Sequence, residues 1–222
     1  LGIMIIGRSR KQRLVLTRDH VWERLTVDGR TLHYQQVENS FTQPNAHICQ
    51  TMLGWAKEAT QGRHAEDPVE LYCGNGNFTL PLAENFQRVL ATEISKSSVA
   101  SARRSAELNN IENVTIVRMS AEEFTEALNG ERSSRRADEA DIKSFDCKTV
   151  LVDPPRAGLD TETLKMVSAY SRIIYISCNP DTLAENLDYL TETHEIIAAA
   201  MFDQFPYTDH VETGVVLKAK AD

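Results

Sequence analysis

The sequence predicts an α/β fold, a parallel and doubly wound sheet, preceded by a smaller β-rich piece. Two observations carry that expectation. From about residue 46 onward, short apolar, β-branched runs alternate with helical stretches, and such alternation builds a parallel sheet with helices on both faces. Before that point the apolar runs are separated only by turn signals such as Asp28-Gly29, the pattern of hairpins. A chain of 222 residues is long enough for one full domain plus a small appendage.

Taken in order, residues 1–36 alternate apolar runs at 3–6, 14–16 and 32–34 with turns, and are expected to be the remnant of a β-rich subdomain. Residues 37–222 are expected to form the main domain. A polar loop, Glu38-Asn-Ser-Phe-Thr-Gln-Pro-Asn45, leads into an amphipathic helix over 46–59. Strands are expected at 69–71, 88–91, 114–118, 149–152, 173–176, 196–202 and 211–217, with helices at 78–83, 95–109, 121–128, 161–170 and 181–190. Only a loop separates the last two strands, so the final one is expected to run antiparallel. Residues 129–145 are charged and Ser-rich and are expected to be a solvent loop or locally disordered.

Composition excludes several classes. No apolar run is long enough to span a membrane. The four cysteines, Cys49, Cys73, Cys147 and Cys178, show no C-x-x-C spacing, so neither a metal site nor a disulfide framework is expected, and a reducing cytoplasm fits. The chain opens on Leu1 and not Met, which suggests a fragment whose missing start would hide any targeting segment. Net charge is −8, which argues against a whole-surface nucleic-acid binder. The distribution is uneven: residues 1–32 carry seven basic and three acidic side chains, net +4, so the remainder is −12. A basic end on an acidic body suits a phosphate-contacting appendage, and equally a solvated strand face.

Four strand ends carry chemistry. Glu70-Leu-Tyr72-Cys-Gly74-Asn-Gly76-Asn77-Phe78 follows the first strand of the main domain and opens a helix. Glycines there permit a tight turn and close backbone approach to a ligand. The third glycine of a dinucleotide fingerprint is missing, which disfavours a pyrophosphate and an NAD-dependent oxidoreductase. Glu93 ends the next strand, 19 residues after Gly74, where an acid can accept hydrogen bonds from ribose hydroxyls. Loop plus acid fits a nucleoside cofactor without a diphosphate, which describes S-adenosylmethionine; an ordinary turn and a solvated carboxylate is the plainer reading. The run Val150-Leu-Val-Asp153-Pro-Pro-Arg156 pushes Asp153 into extended geometry ahead of a proline, toward the crevice. With Arg156 where amino-methyltransferases carry an aromatic residue, methylation of an exocyclic amine is disfavoured.

Cys178 ends the strand Ile173-Ile-Tyr-Ile176, just ahead of Asn179-Pro180-Asp181, a helix start with Asn as cap and Pro at the first position. Partial positive charge at a helix start would stabilise its thiolate; a small buried hydrophobe at a strand end is the alternative.

Together, Tyr72-Cys-Gly-Asn-Gly-Asn77, Asp153-Pro-Pro-Arg156, Ser177-Cys-Asn-Pro180 and Asp203-Gln-Phe-Pro-Tyr-Thr-Asp-His-Val-Glu212 resemble the RNA uracil-C5 methyltransferase family in order and spacing. Gln36-Val-Glu-Asn-Ser-Phe-Thr-Gln-Pro-Asn45 is similar to the bacterial tRNA (uracil-5-)-methyltransferase branch, which methylates the T-loop uridine. The resemblance implies a Rossmann-like S-adenosylmethionine-dependent methyltransferase domain over 37–222, N-terminally truncated, with the end of a central β-rich subdomain before it. It implies Cys178 as nucleophile and Glu212 as proton acceptor, and Gln43, Tyr72, Asn77, Glu93 and Asp153 as cofactor contacts beside Gly74. The implied partner is the tRNA T-arm, with transfer-messenger RNA as a further substrate through its tRNA-like arm, and the implied state a cytoplasmic monomer. Asp209 departs from the family pattern without touching a catalytic position.

The chemistry explains the residue types. Carbon 5 of uracil is a poor nucleophile until a soft thiolate adds at carbon 6, and its proton must then leave to a carboxylate. The target base must be flipped out of folded RNA; Phe41, Phe205 and Tyr207 are candidates to stack on it, or core aromatics. His210 is a candidate to orient Glu212 or touch phosphate. Two other functions compete: a ribosomal-RNA uracil-C5 methyltransferase, and a non-catalytic RNA-binding module.

Overall fold

The computed structural model describes residues 3–221; Leu1, Gly2 and Asp222, at the outer ends of the two expected domains, lie outside the described residues. The chain begins with two hairpins. The first pairs β1 (Ile6–Ser9) with β2 (Gln12–Val15) and is largely exposed. The second pairs β3 (His20–Val27) with β4 (Arg30–Val37). Arg8 Nε donates to Glu38 Oε1 (3.0 Å) and Arg13 pairs with Asp19 (3.0 Å), so the first hairpin is tied to the residues flanking the second. The inward side chains of the second hairpin, Leu25, Val27, Leu32 and Tyr34, are buried together with helix α1 (Ala46–Ala59). That hairpin is therefore packed into the main core, and position 36 falls inside β4.

A seven-stranded sheet completes the chain: β5 (Asp67–Leu71), β6 (Val89–Thr92), β7 (Val114–Val117), β8 (Cys147–Val152), β9 (Arg172–Ser177), β10 (His194–Phe202) and β11 (Glu212–Ala219). The spatial order is β10-β11-β9-β8-β5-β6-β7. The pairs β5·β6, β6·β7, β5·β8 and β8·β9 are parallel, and β11 is antiparallel to both neighbours. The winding reverses at β5, so the switch point of the doubly wound sheet lies between β5 and β8, where such sheets bind ligands.

Helices α2 (Thr79–Leu82), α3 (Lys96–Leu108), α4 (Ala121–Asn129), α6 (Thr161–Val167) and α7 (Pro180–Thr193) connect the strands. Strand alternation sends Leu151, Ile174, Ile176 and Val216 to the face covered by α1 and the second hairpin. It sends Val150, Val152, Ile173, Tyr175, Val215 and Leu217 to the face covered by α4, α6 and α7, the period-2 arrangement of a sheet buried on both sides. Helix starts follow their caps: Asn45, Ser95, Ser120 and Asn179 each accept a first-turn N–H, and Ser120 with Glu123 completes a capping box.

One expectation is corrected. The segment 129–145 is not a featureless loop: it holds a short helix α5 (Arg135–Glu139) and a 3-10 turn over Ile142–Ser144. Ser134 caps α5, Arg135 pairs with Glu139 one turn on, and Ala137 and Ile142 are buried in the core. Among the described residues no helix is long and apolar enough to cross a membrane.

Candidate functional site

Five chain segments reach one edge of the sheet. The glycine loop leaves β5, Glu93 follows β6, Asp153 follows β8 and Cys178 follows β9. Glu212 opens β11, and because that strand is antiparallel, its first residue arrives at the edge where the parallel strands end. These residues line one crevice of about 740 Å³ together with Gln43, Phe41, Tyr72, Gly74 and Asn77. The expected nucleophile, proton acceptor and cofactor contacts thus share one cavity, whereas Phe205, Tyr207 and His210 do not line it.

The loop after β5 has an unusual backbone. Tyr72 adopts φ 62°, a left-handed conformation that strains a bulky residue and persists only where its surroundings hold it. Gly76 has φ 85°, a left-handed conformation that favours glycine, where a Cβ would sit in contact with Ala102 Cβ at 3.4 Å. Glu93 is oriented by backbone: Gly74 N–H donates to Oε2 (3.1 Å) and Ser95 N–H to Oε1 (2.6 Å). Asn77 contributes its carbonyl oxygen to Tyr34 Oη–H (3.1 Å) and its side-chain amide to Cys49 Sγ (3.4 Å).

The crevice is rich in carboxyl groups: Glu70, Glu93, Asp153 and Glu212 all line it, as does Glu122, against one basic side chain, Arg156, among the described residues. Glu70 is 3 % exposed and accepts from Thr79 Oγ1 at 2.6 Å. Burial pushes it up to about 8, against the opposing pull of that hydrogen bond. Asp153 is pushed up to about 8 by burial and then by the charge of Glu212. Glu212 is 2 % exposed, its Oε2 has no hydrogen-bond partner, and burial raises it to about 7. A carboxylate with one free buried oxygen and a midpoint near neutrality is suited to receiving a proton.

Cys178 is half-buried. Its thiol is pushed up by burial, then by Glu212 and Asp153, with Arg156 opposing. That is opposite to the depression expected from the helix start. Pro180, the first residue of α7, has no N–H and Asp181 N–H donates to its own cap, Asn179 Oδ1 (3.3 Å), while desolvation and two nearby carboxyl groups push the thiol up. The same helix pins the Asp-Pro-Pro-Arg loop beside the sulfur. Asn179 Nδ2 and Thr182 Oγ1 both donate to Arg156 O (3.1 and 3.2 Å), and Asn186 Oδ1 accepts from Leu159 N–H (3.0 Å) and Tyr175 Oη–H (2.7 Å).

Of the candidate aromatics, Phe41 lines the crevice and is 72 % exposed. Phe205 lies edge-on to His210 at 6.1 Å, and Tyr207 is fully exposed; neither is a core residue or a crevice wall. No hydrogen bond among the described residues links His210 to Glu212. Two further residues bear on the site: Glu70 lines the crevice, and Gln204 is bonded to the crevice residue Gln43. Glu70 announces itself as a charge in the middle of the buried strand Asp67–Leu71. Gln204, buried against Gln43, carries no local signal. Among the described residues no group of three or more His, Cys, Asp or Glu is arranged to hold a metal ion.

Comparison with known proteins places the chain in a family. Residues 1–220 match the family described as tRNA (Uracil-5-)-methyltransferase. The tRNA/tmRNA (uracil-C(5))-methyltransferase of Idiomarina loihiensis is 67% identical over 219 residues, covering 99% of this chain and 60% of that protein. Its namesake from Chromohalobacter salexigens is 60% identical over 221 residues, covering 100% of this chain and 59% of the relative. The chain therefore spans about three-fifths of the length of these relatives. Among solved structures, the Pyrococcus abyssi tRNA (uracil-54, C5)-methyltransferase in complex with S-adenosyl-L-homocysteine aligns with TM-score 0.71 and 26% identity, over 95% of this chain and 49% of that one. The T. thermophilus 16S rRNA N2 G1207 methyltransferase, at 16% identity and TM-score 0.66 over 100% of this chain and 59% of that one, shares the fold. With a family match across nearly its whole length, the chain belongs to the tRNA (uracil-5-)-methyltransferase family.

Proposed function

We propose that the chain is the catalytic part of an S-adenosylmethionine-dependent enzyme that methylates carbon 5 of the T-loop uridine in tRNA, and of transfer-messenger RNA through its tRNA-like arm. The observation that carries this reading is the shared crevice: a sulfur nucleophile and a buried carboxylate line the same cavity as the glycine loop and Glu93. The residues present fit the cofactor. Glu93 keeps free lone pairs after accepting two backbone N–H groups, as ribose hydroxyls require, and the surrounding carboxyl groups suit a ligand bearing sulfonium and ammonium charges. Gln43, Tyr72, Gly74, Asn77, Glu93 and Asp153 are the residues we assign to holding it. Bound there, it supplies an electrophilic methyl group.

In this reading the protein's own groups do the rest. A uridine is extruded from the RNA at a cost of a few kcal/mol, and the exposed ring of Phe41 receives it. Cys178 Sγ bonds to carbon 6, moving an electron pair onto carbon 5, which takes the methyl group. Glu212 then removes the carbon 5 proton, and the returning electron pair expels Sγ. Burial, then Glu212 and Asp153, hold the Cys178 thiol up, and Arg156 is the nearby cation that favours its thiolate. Residues 1–36 are assigned to the end of a β-rich subdomain and 37–222 to the catalytic domain, and the enzyme is read as a cytoplasmic monomer.

The test is methyl transfer from labelled S-adenosylmethionine to tRNA and to ribosomal RNA by the longer protein. Label at carbon 5 of the T-loop uridine, abolished by Cys178→Ala, is expected. Label in ribosomal RNA alone, or full activity of Cys178→Ala, would overturn the reading.

A further inference from the structure

Gln204 lies in the connection between β10 and β11, upstream of Glu212, and is 1 % exposed. Its amide joins two residues 159 and 161 positions away in sequence. The backbone N–H of Asn45 donates to Gln204 Oε1 at 3.1 Å. A backbone N–H can only donate, so this contact fixes which end of the Gln204 amide is oxygen. The other end, Nε2, lies 2.9 Å from the Gln43 side chain and 3.4 Å from Met52 Sδ. Since Nε2 can only donate, the Gln43 atom facing it must be Oε1. The NH2 group of Gln43 is thereby turned away from Gln204. It makes no hydrogen bond among the described residues, and its side chain lines the crevice.

We infer that Gln204 is a positioning residue that locks the Gln43 amide with its N–H donors toward the crevice, where they meet an oxygen acceptor of a bound ligand, either the cofactor's carboxylate or a pyrimidine carbonyl. The inference rests on the cofactor reading given above. Its physical motive is the character of the cavity. Glu70, Glu93, Asp153 and Glu212 accept hydrogen bonds and, when ionised, repel an anionic or carbonyl oxygen. A neutral donor held in one orientation answers that group without adding a charge. An unlocked Gln43 is free to turn its carbonyl inward and join the repulsion.

The experiment uses Gln204→Met, similar in size and unable to donate, and Gln204→Glu. Calorimetry on this chain measures S-adenosylhomocysteine against its decarboxylated analogue, and the longer protein is titrated with T-arm RNA. If the acceptor is the cofactor's carboxylate, Gln204→Met weakens S-adenosylhomocysteine about tenfold, the scale of one net hydrogen bond, while the analogue binds as to the parent. If it is a pyrimidine carbonyl, RNA binding weakens about tenfold and both cofactor ligands are unchanged. Gln204→Glu supplies the conservative rescue, compared with the parent at each pH: where its carboxyl is protonated it still donates to Gln43 and binds near the parent's level, and where it is ionised it draws the Gln43 NH2 group to itself and loses affinity. Unchanged binding of all three ligands in Gln204→Met, or an equal loss for all three with no pH-dependent rescue, overturns the inference. Failure of the parent to bind S-adenosylhomocysteine would instead overturn the cofactor reading, and this inference with it.

Discussion

Glu70 gives the sharpest physical test of the crevice. It sits within the buried strand β5, with Thr79 Oγ1 donating to it at 2.6 Å. Burial lifts its carboxyl from 4.5 to about 8. Between those values the folded chain holds a proton that the unfolded chain has released. The folded state then binds more protons, so stability is fully present below pH 4.5 and declines as pH rises toward 8. The span from 4.5 to about 8 corresponds to a ceiling of ~5 kcal/mol, and a working expectation is ~2–5 kcal/mol. Glu70→Gln keeps an acceptor for Thr79 and cannot ionise. It should match the parent at pH 4 and exceed it by that amount at pH 9. Urea unfolding across this range, with unchanged m-values, measures the difference. A variant whose stability difference is independent of pH, or which is less stable than the parent at pH 9, would refute the reasoning. The same logic predicts proton release when a cation enters the crevice near pH 7, visible by calorimetry in buffers of different ionisation enthalpy.

Other substitutions probe other joints. Gly214→Ala places a Cβ 2.6 and 2.8 Å from the Trp55 ring and 3.2 Å from Phe202; overpacking of this kind costs ~1–3 kcal/mol, and urea unfolding showing no loss would contradict the packing described. Glu212 must be ionised to take a proton, and burial sets its midpoint at about 7, so kcat/KM should rise with pH and level off above that value. Glu212→Gln should lower turnover by ~10²–10⁴ while still forming an adduct with RNA, and turnover equal to the parent would remove Glu212 from its role. Asn179→Asp keeps the cap on Asp181 N–H but loses the donation to Arg156 O and adds a charge beside Cys178; the pH midpoint for alkylation of that thiol should rise, and an unchanged or lower midpoint would count against the electrostatics described.

Much of this architecture is written locally. Runs such as Ile173-Ile-Tyr-Ile176 and the caps Asn45, Ser95, Ser120 and Asn179 name their own strands and helices, and strand-end residues follow from them. What depends on tertiary placement is not. Nothing within residues 194–219 says that β11 inserts between β9 and β10. Ala137 and Ile142 look like loop residues until the core they enter is known. The upward push on Cys178 comes first from burial and then from Glu212 and Asp153, distant in sequence. The role of Gln204 depends on partners at Asn45 and Gln43, and a lone glutamine before Phe205 gives no hint of them. Local pattern specifies elements and their ends; desolvation and long-range pairing decide what those ends do.

The most direct test is to trap the reaction on the sulfur. With T-arm RNA carrying 5-fluorouridine in place of the target base, the longer protein supplied with S-adenosylmethionine should form a stable covalent complex, because fluorine cannot leave carbon 5 as a proton does. Mass spectrometry of the digested complex should find the pyrimidine bonded to Cys178, and Cys178→Ala should form none. A bond to Cys49, Cys73 or Cys147, or a complex undiminished in Cys178→Ala, would contradict the account.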